Sequence, residues 1–184
     1  MKFILFVALE SEFPMEFAPR NFELYYTGIG KVNAAFKATN ILSNKNPLDY
    51  IVLNYGSAGT NFLNKNTIHK CTKFQQSDID ARPLAASQGI TPYDESIYPQ
   101  IPSIIEFSDE GKLCSTADSF QETPLSEIVD MEAYAIAKVC KILNFPFVSY
   151  KFISDDGNLD DWKNNHHNGI DLFLQKLKTD FHIN

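Results

Sequence analysis

The chain is poor in the residues from which several kinds of chemistry are built. Its three cysteines, Cys71, Cys114 and Cys140, form an odd set without CxxC spacing. That excludes a disulfide framework and a cysteine zinc site, and it suits a reducing, cytoplasmic setting. Arginine occurs only as Arg20 and Arg82. No apolar run approaches the roughly 20 residues needed to span a bilayer, so no membrane partner is expected. The opening MKFILFVALE has a lysine and a short apolar run, but Glu10 and Glu12 interrupt it and no small-residue cleavage pattern appears, so it reads as a buried strand rather than a signal peptide. Cationic groups are outnumbered, 16 Lys and Arg against 23 Asp and Glu, for a formal net charge of -7. Such a field repels phosphate backbones and excludes sequence-independent nucleic-acid binding. A small neutral or cationic ligand fits the balance better.

What is present is ordinary globular material. At 184 residues the chain fits one domain, 1–184, with a substantial core. Three runs, KFILFVAL (2–9), YIVLNYGSAG (50–59) and PFVSYKFISD (146–155), are rich in β-branched and aromatic residues and end in small or polar ones. Continuous apolar runs of this kind predict strands covered on both faces. Between them, GKVNAAFKATNIL (30–42) carries Val32, Ala35, Phe36 and Ile41 near helical spacing, and MEAYAIAKVCKIL (131–143) repeats the pattern. A last helix begins near Gly169 and closes on FHIN. Strands alternating with helices predict a mostly parallel α/β sheet, whose ligands sit outside the carboxyl ends of the strands. The stretch 74–106, rich in Pro, Ser and Asp and without a steady period, is expected as a long loop, either a lid or a surface excursion.

Several motifs stop short of a known site. Gly28 and Gly30 precede a helix, but Asn33 stands where a dinucleotide fingerprint needs its third glycine, and the phosphate-loop spacing is absent. A tight turn packed close to a neighbour explains them as well. Gly56, Ser57, Ala58 and Gly59 are expected as a flexible turn at a strand end, with N–H groups that could face ligand oxygens. Asp155, Asp156, Asp160 and Asp161 crowd one loop, yet the glycine comes third rather than sixth, so the calcium-loop pattern fails. His166 and His167 are adjacent and make a poor ligand pair, so no metal is expected.

Asp130 is placed to cap the helix that follows, and an acid in a first turn is favoured by the helix dipole. That accounts for an acid at Glu132 but not for its side, which counting places with Ile136 and Val139. A carboxylate on an apolar face either costs several kcal/mol or holds something, such as a ligand's hydroxyl groups.

Taken in order, ALESEF (8–13), GIGKVNAA (28–35), NYGSAG (54–59), TADSF (116–120), VDMEAYAIAKVC (129–140) and FISD (152–155) resemble the motifs of the purine nucleoside phosphorylase and nucleosidase superfamily. They are most similar to its methylthioadenosine/S-adenosylhomocysteine nucleosidase branch. The resemblance implies a three-layer αβα sandwich around a mixed, barrel-like β-sheet, usually dimeric in that branch, which hydrolyses the N-glycosidic bond of a purine nucleoside without a cofactor and releases adenine, as in methionine salvage. It implies Glu12 as the carboxylate that activates water and Asp155 as the acid that protonates the purine at N7, with Ser154 as its partner. Met131 and Glu132 would hold the ribose, Phe120 would stack on the base with Gln121 at the base edge, and Ser57 and Gly59 would line the sugar.

The chemistry requires these types. Cleavage leaves an oxocarbenium-like sugar and a purine anion, so an acid at the base and an activated water at the sugar lower opposite parts of the barrier. Asp155 follows an apolar run, whereas Glu12, near Glu10, is expected in a wetter setting. A phosphorylase of the same fold needs arginine and backbone donors for a dianion, and neither Arg20 nor Arg82 falls in a matching motif. Arg82 and Asp80 are read either as a structural pair or as ligand contacts. The alternatives to hydrolysis are phosphorolysis and a non-catalytic nucleoside-binding relative. The interval from Glu12 to Gly28 is compressed for the family, which implies a reduced hairpin there.

Overall fold

The computed structural model describes residues 2–82, 84, 87–99, 101–121 and 125–183. Of the positions discussed above, Met1, Pro83, Ala85, Ala86, Gln100 and Asn184 lie outside the described residues. The three apolar runs are strands, β1 (Lys2–Val7), β3 (Tyr50–Gly59) and β8 (Phe147–Asp155). β3 pairs in parallel with β1 on one edge and with β8 on the other. Beyond β8 the chain of pairings continues through β4 (Ile68–Gln76), β6 (Lys112–Thr116) and β7 (Ile128–Asp130), and β7 returns to β3 at Gly59. Five strands thus close into a ring, with β1 and β2 (Phe22–Tyr26) extending it on one side and β5 (Ile104–Glu106) on the other.

Alternation along the strands explains why their sequences are apolar throughout. In β1, Ile4 and Phe6 join one core, while Phe3, Leu5 and Val7 join another. β8 divides the same way, with Phe147 and Ile153 on the first side and Val148, Tyr150 and Phe152 on the second. The first core is covered by α1 (Lys31–Leu42) and α3 (Ala133–Ile142), the second by α5 (Ile170–Phe181). Helices on both faces of a mixed, ring-closed sheet give the three layers expected.

Three local readings are corrected. α1 buries Ala34, Ala38 and Leu42, not the bulkier set counted from the sequence; Val32 and Phe36 are 79% and 74% exposed. The cause is the partner helix, because α1 packs against α3 and its small side chains Ala34 and Ala38 suit a close approach of the two. NYGSAG is not a turn: β3 continues through Gly59, because it has β8 beside it along its length. The 74–106 stretch is only partly loop. It begins with the end of β4, contains α2 (Asp94–Ile97) and ends in β5. Buried Asp94 there meets Lys138 of α3 at 2.6 Å, which anchors the excursion to the core. The interval between Glu12 and Gly28 holds a single 3-10 turn, Met15–Phe17, and strand β2. The closing helix stops at Phe181, short of the end of FHIN.

α5 packs onto the second core through an aromatic cluster in which Phe173 stacks on Tyr55 at 4.5 Å and meets Phe13 edge-on at 5.6 Å. Gly169, just before α5, is pressed so tightly against the Phe152 ring and the Tyr55 hydroxyl that a Cβ there would overlap both. Gly169→Ala is expected to lower stability by about 1–3 kcal/mol, the usual cost of overpacking, read as a lower urea midpoint; an unchanged midpoint would refute this packing.

Candidate active site

The carboxyl ends of β1, β3, β7 and β8 meet around one cavity of about 260 Å³. Glu12, Ser57, Gly59 and Asp155 line it, and Phe120, Gln121, Met131 and Glu132 complete the expected set. Ser154 stands behind the wall and touches Asp155 instead. Every sequence-predicted position is therefore at the cavity or one hydrogen bond from it.

Glu12 sits in the turn after β1, and its wetter setting is not observed: it is 3% exposed. Three donors hold it. Ser57 offers its backbone N–H at 2.9 Å and its hydroxyl at 2.5 Å, both to Oε1, and Leu9 N–H reaches Oε2 at 3.3 Å. A carboxylate has about four acceptor positions, so one remains for a molecule in the cavity.

Asp155 ends β8 and is 2% exposed. Its Oδ2 accepts from Ser154 Oγ at 2.7 Å and its Oδ1 from Gly157 N–H at 2.8 Å. The neighbouring acids are balanced elsewhere: Lys65 meets Asp156 at 3.2 Å and also pairs with Asp161. Among the described residues, no three His, Cys, Asp or Glu side chains converge as metal ligands.

Glu132 answers the question raised by its place in the sequence. It is not on the helix face, because α3 begins one residue later and Glu132 occupies the cap position. The capping bonds come from Asp130, whose Oδ2 accepts from Ala133 N–H at 2.7 Å and Glu132 N–H at 3.2 Å. Glu132 Oε1 instead accepts from Gly30 N–H at 2.9 Å, at the cap position just before α1. Gly30 has φ +95°, a backbone region that favours glycine, and this presents its N–H to the acid. Burial, followed by the charge of Asp130, pushes the Glu132 carboxyl up to about 8, against the opposing pull of Lys151.

Lys151 is one residue the sequence reading missed. It lies midway along β8, fully buried, with Nζ 2.7 Å from Asp130 Oδ2 but not aligned as a hydrogen bond, so charge holds the pair. Burial by itself would lower the Lys151 ammonium, yet Asp130 and Glu132 keep it above its ordinary range. Its signal was visible, since a lysine inside an otherwise apolar run needs a buried anion. Trp162 was missed as well. It stands on α4 (Leu159–Asn165), lines the cavity, and donates from Nε1 to Ser57 Oγ at 2.9 Å. Arg82 and Asp80, by contrast, pair with each other at 2.5 Å on the surface, and neither lines the cavity.

No family model matches the chain. The 5'-methylthioadenosine/S-adenosylhomocysteine nucleosidase of Bacillus pumilus is 31% identical over 156 residues, covering 72% of this chain and 67% of that protein. Among solved structures, the Colwellia psychrerythraea enzyme of the same name, in complex with adenine, superposes with a TM-score of 0.75 at 20% identity, covering 91% of this chain and 88% of that one. The futalosine hydrolase of Helicobacter pylori superposes at 0.80 with 17% identity and covers 98% of each chain.

The raised Glu132 carboxyl has a thermodynamic consequence. The folded state binds this proton more tightly than the unfolded chain, so the favourable contribution is complete below about 4.5 and is lost as pH rises toward about 8. Glu132→Gln is expected to flatten the fall in unfolding free energy between those pH values, measured by denaturant titration; an unaltered slope would show that Glu132 is not its source.

Proposed function

The chain belongs to the 5'-methylthioadenosine/S-adenosylhomocysteine nucleosidase family, and from that membership we propose that Glu12, Glu132 and Asp155 divide among themselves the hydrolysis of a purine nucleoside's N-glycosidic bond. The observation that carries the assignment is the convergence of three buried carboxylates, distant in sequence, on one cavity.

Asp155 delivers a proton to N7 of the purine, which turns the departing base from an anion into a neutral molecule. Its two fixed hydrogen bonds hold it at the end of β8 for that transfer. Glu12, gripped by Ser57 and Leu9, orients a water and takes its proton as the water attacks the anomeric carbon. Glu132 accepts from the ribose hydroxyls, with Met131 against the sugar. Phe120, half exposed at the cavity, stacks on the base, and Gln121 meets the base edge. Leu9, Ile29 and Leu159 supply the apolar wall that suits a thioether at the 5' position.

Water rather than phosphate is the second substrate. None of the described lining residues is Lys, Arg or His, so a phosphate dianion would meet acids without a compensating cation. The three free, buried thiols support a reducing cytoplasm, and the substrate class supports a role in methionine salvage. The exposed α1 residues Val32 and Phe36, with cavity-lining Ile29 shortly before the helix, support a homodimer that packs beside the site.

Methylthioadenosine supplied in phosphate-free buffer is expected to yield free adenine at a rate that added phosphate does not raise. Phosphate dependence would instead mark a phosphorylase, and binding without turnover a non-catalytic relative. Asp155→Asn should retain ligand binding and lose about 10²- to 10⁴-fold in turnover, the usual weight of one proton transfer; retained activity would remove it from that role. Light scattering should give about twice the 20.9 kDa chain mass, with Phe36→Glu shifting it to the monomer; a monomeric native protein would overturn the dimer.

A further inference from the structure

We propose that Trp162 is a positioning residue for this hydrolysis, fixing the direction in which the Ser57 hydroxyl donates and so holding Glu12 against the attacking water. The inference rests on the reading of Glu12 given above.

The geometry is a chain of three groups with one possible polarity. The indole Nε1–H of Trp162 lies 2.9 Å from Ser57 Oγ, and Ser57 Oγ lies 2.5 Å from Glu12 Oε1. An indole N–H only donates, while a hydroxyl has one proton and two lone pairs. With Trp162 occupying a lone pair, the serine proton has one productive direction, toward the carboxylate. The Ser57 backbone N–H reinforces the same oxygen at 2.9 Å. Without the indole, the hydroxyl can turn away and Glu12 loses one of its three donors.

α4 is built to keep the indole there. Asn158 caps it by accepting from Asp160 N–H at 2.8 Å, and Asn165 Nδ2 donates to Ser154 O at 3.3 Å, which ties it to β8. The Trp162 ring stacks on His166 at 4.7 Å with 20° between planes. His166 Nε2 meets Ser11 Oγ at 3.1 Å, one residue from Glu12. The helix therefore touches the Glu12 turn on one side through His166 and the carboxylate itself through Trp162 and Ser57.

Because Trp162 is the only tryptophan, growth with β-(3-benzothienyl)alanine replaces its N–H by sulfur at nearly constant shape; Trp162→Phe is the genetic counterpart. Both are expected to lower kcat by about 5- to 20-fold, a fraction of what general base catalysis supplies, while KM for methylthioadenosine and affinity for adenine stay within about twofold. In a Ser57→Ala background neither should reduce kcat further, since the effect passes through that hydroxyl. A second arm needs no turnover: the single indole N–H resonance in nitrogen-15 NMR should move on Ser57→Ala and on Glu12→Gln. Unchanged kcat, additive losses, or an indole resonance indifferent to Ser57→Ala would each overturn the proposal. If the native enzyme released no adenine, the hydrolytic reading would fall, and the NMR arm would still decide whether Trp162 communicates with Glu12.

Discussion

Strands β3 and β8 run side by side from Val52 opposite Phe147 to Gly59 opposite Asp155, with a register shift between Ala58 and Gly59. Everything chemical depends on that pairing. It places Ser57 beside Phe152 and brings the end of β8 level with the end of β3, so Asp155 and the partner of Glu12 open on the same space. The shift turns the last residues so that the Asp155 carboxylate lies over Gly59, where a Cβ would stand 2.9 Å from Oδ1. A side chain at position 59 would displace the acid from its place.

Beneath this junction lies the Lys151 and Asp130 pair. A fully buried ion pair is a weak source of stability, since desolvating both charges costs about as much as their attraction returns. Its value here is positional. Asp130 binds the lysine, the Thr116 hydroxyl at 2.5 Å and the first amides of α3 at once, and this fixes the peptide that carries Glu132. Lys151 Nζ and Glu12 both border Gly56, where a Cβ would stand in ordinary contact with them at 3.5 and 3.7 Å. The charge of Lys151 thus acts on Glu132, and Glu12 borders the same glycine.

The sequence makes the strands legible because each is sandwiched, and residues buried on both faces must be apolar in succession. It makes Glu132 conspicuous among apolar neighbours, although the acid sits at the cap before α3 and not on the helix face to which counting assigns it. What it conceals are the contacts that depend on a partner element. The buried face of α1 is set by its packing against α3, so counting large apolar residues selects the wrong side. Glu12 looks solvated because Glu10 and Ser11 flank it, yet β3 and α4 cover it. Lys151 and Trp162 each lie within a segment whose neighbours suggest another reading, an apolar strand in one case and an acidic loop in the other. Only the fold brings them to Asp130 and Ser57.

Among the described residues, closure of the five-strand ring leaves two outer strands, β2 and β5, with free margins. β2 carries Glu23, which holds Lys45 at 2.6 Å and accepts from the Tyr50 hydroxyl at 3.0 Å. β5 is only three residues long, and its Glu106 is tied to Lys73 at 2.9 Å. Short, charged margins are poor templates for another chain's backbone. In crowded solution, copies of this molecule are thus steered away from fibre-like strand addition, and any self-association is left to helical surfaces, where it can stop at a defined number.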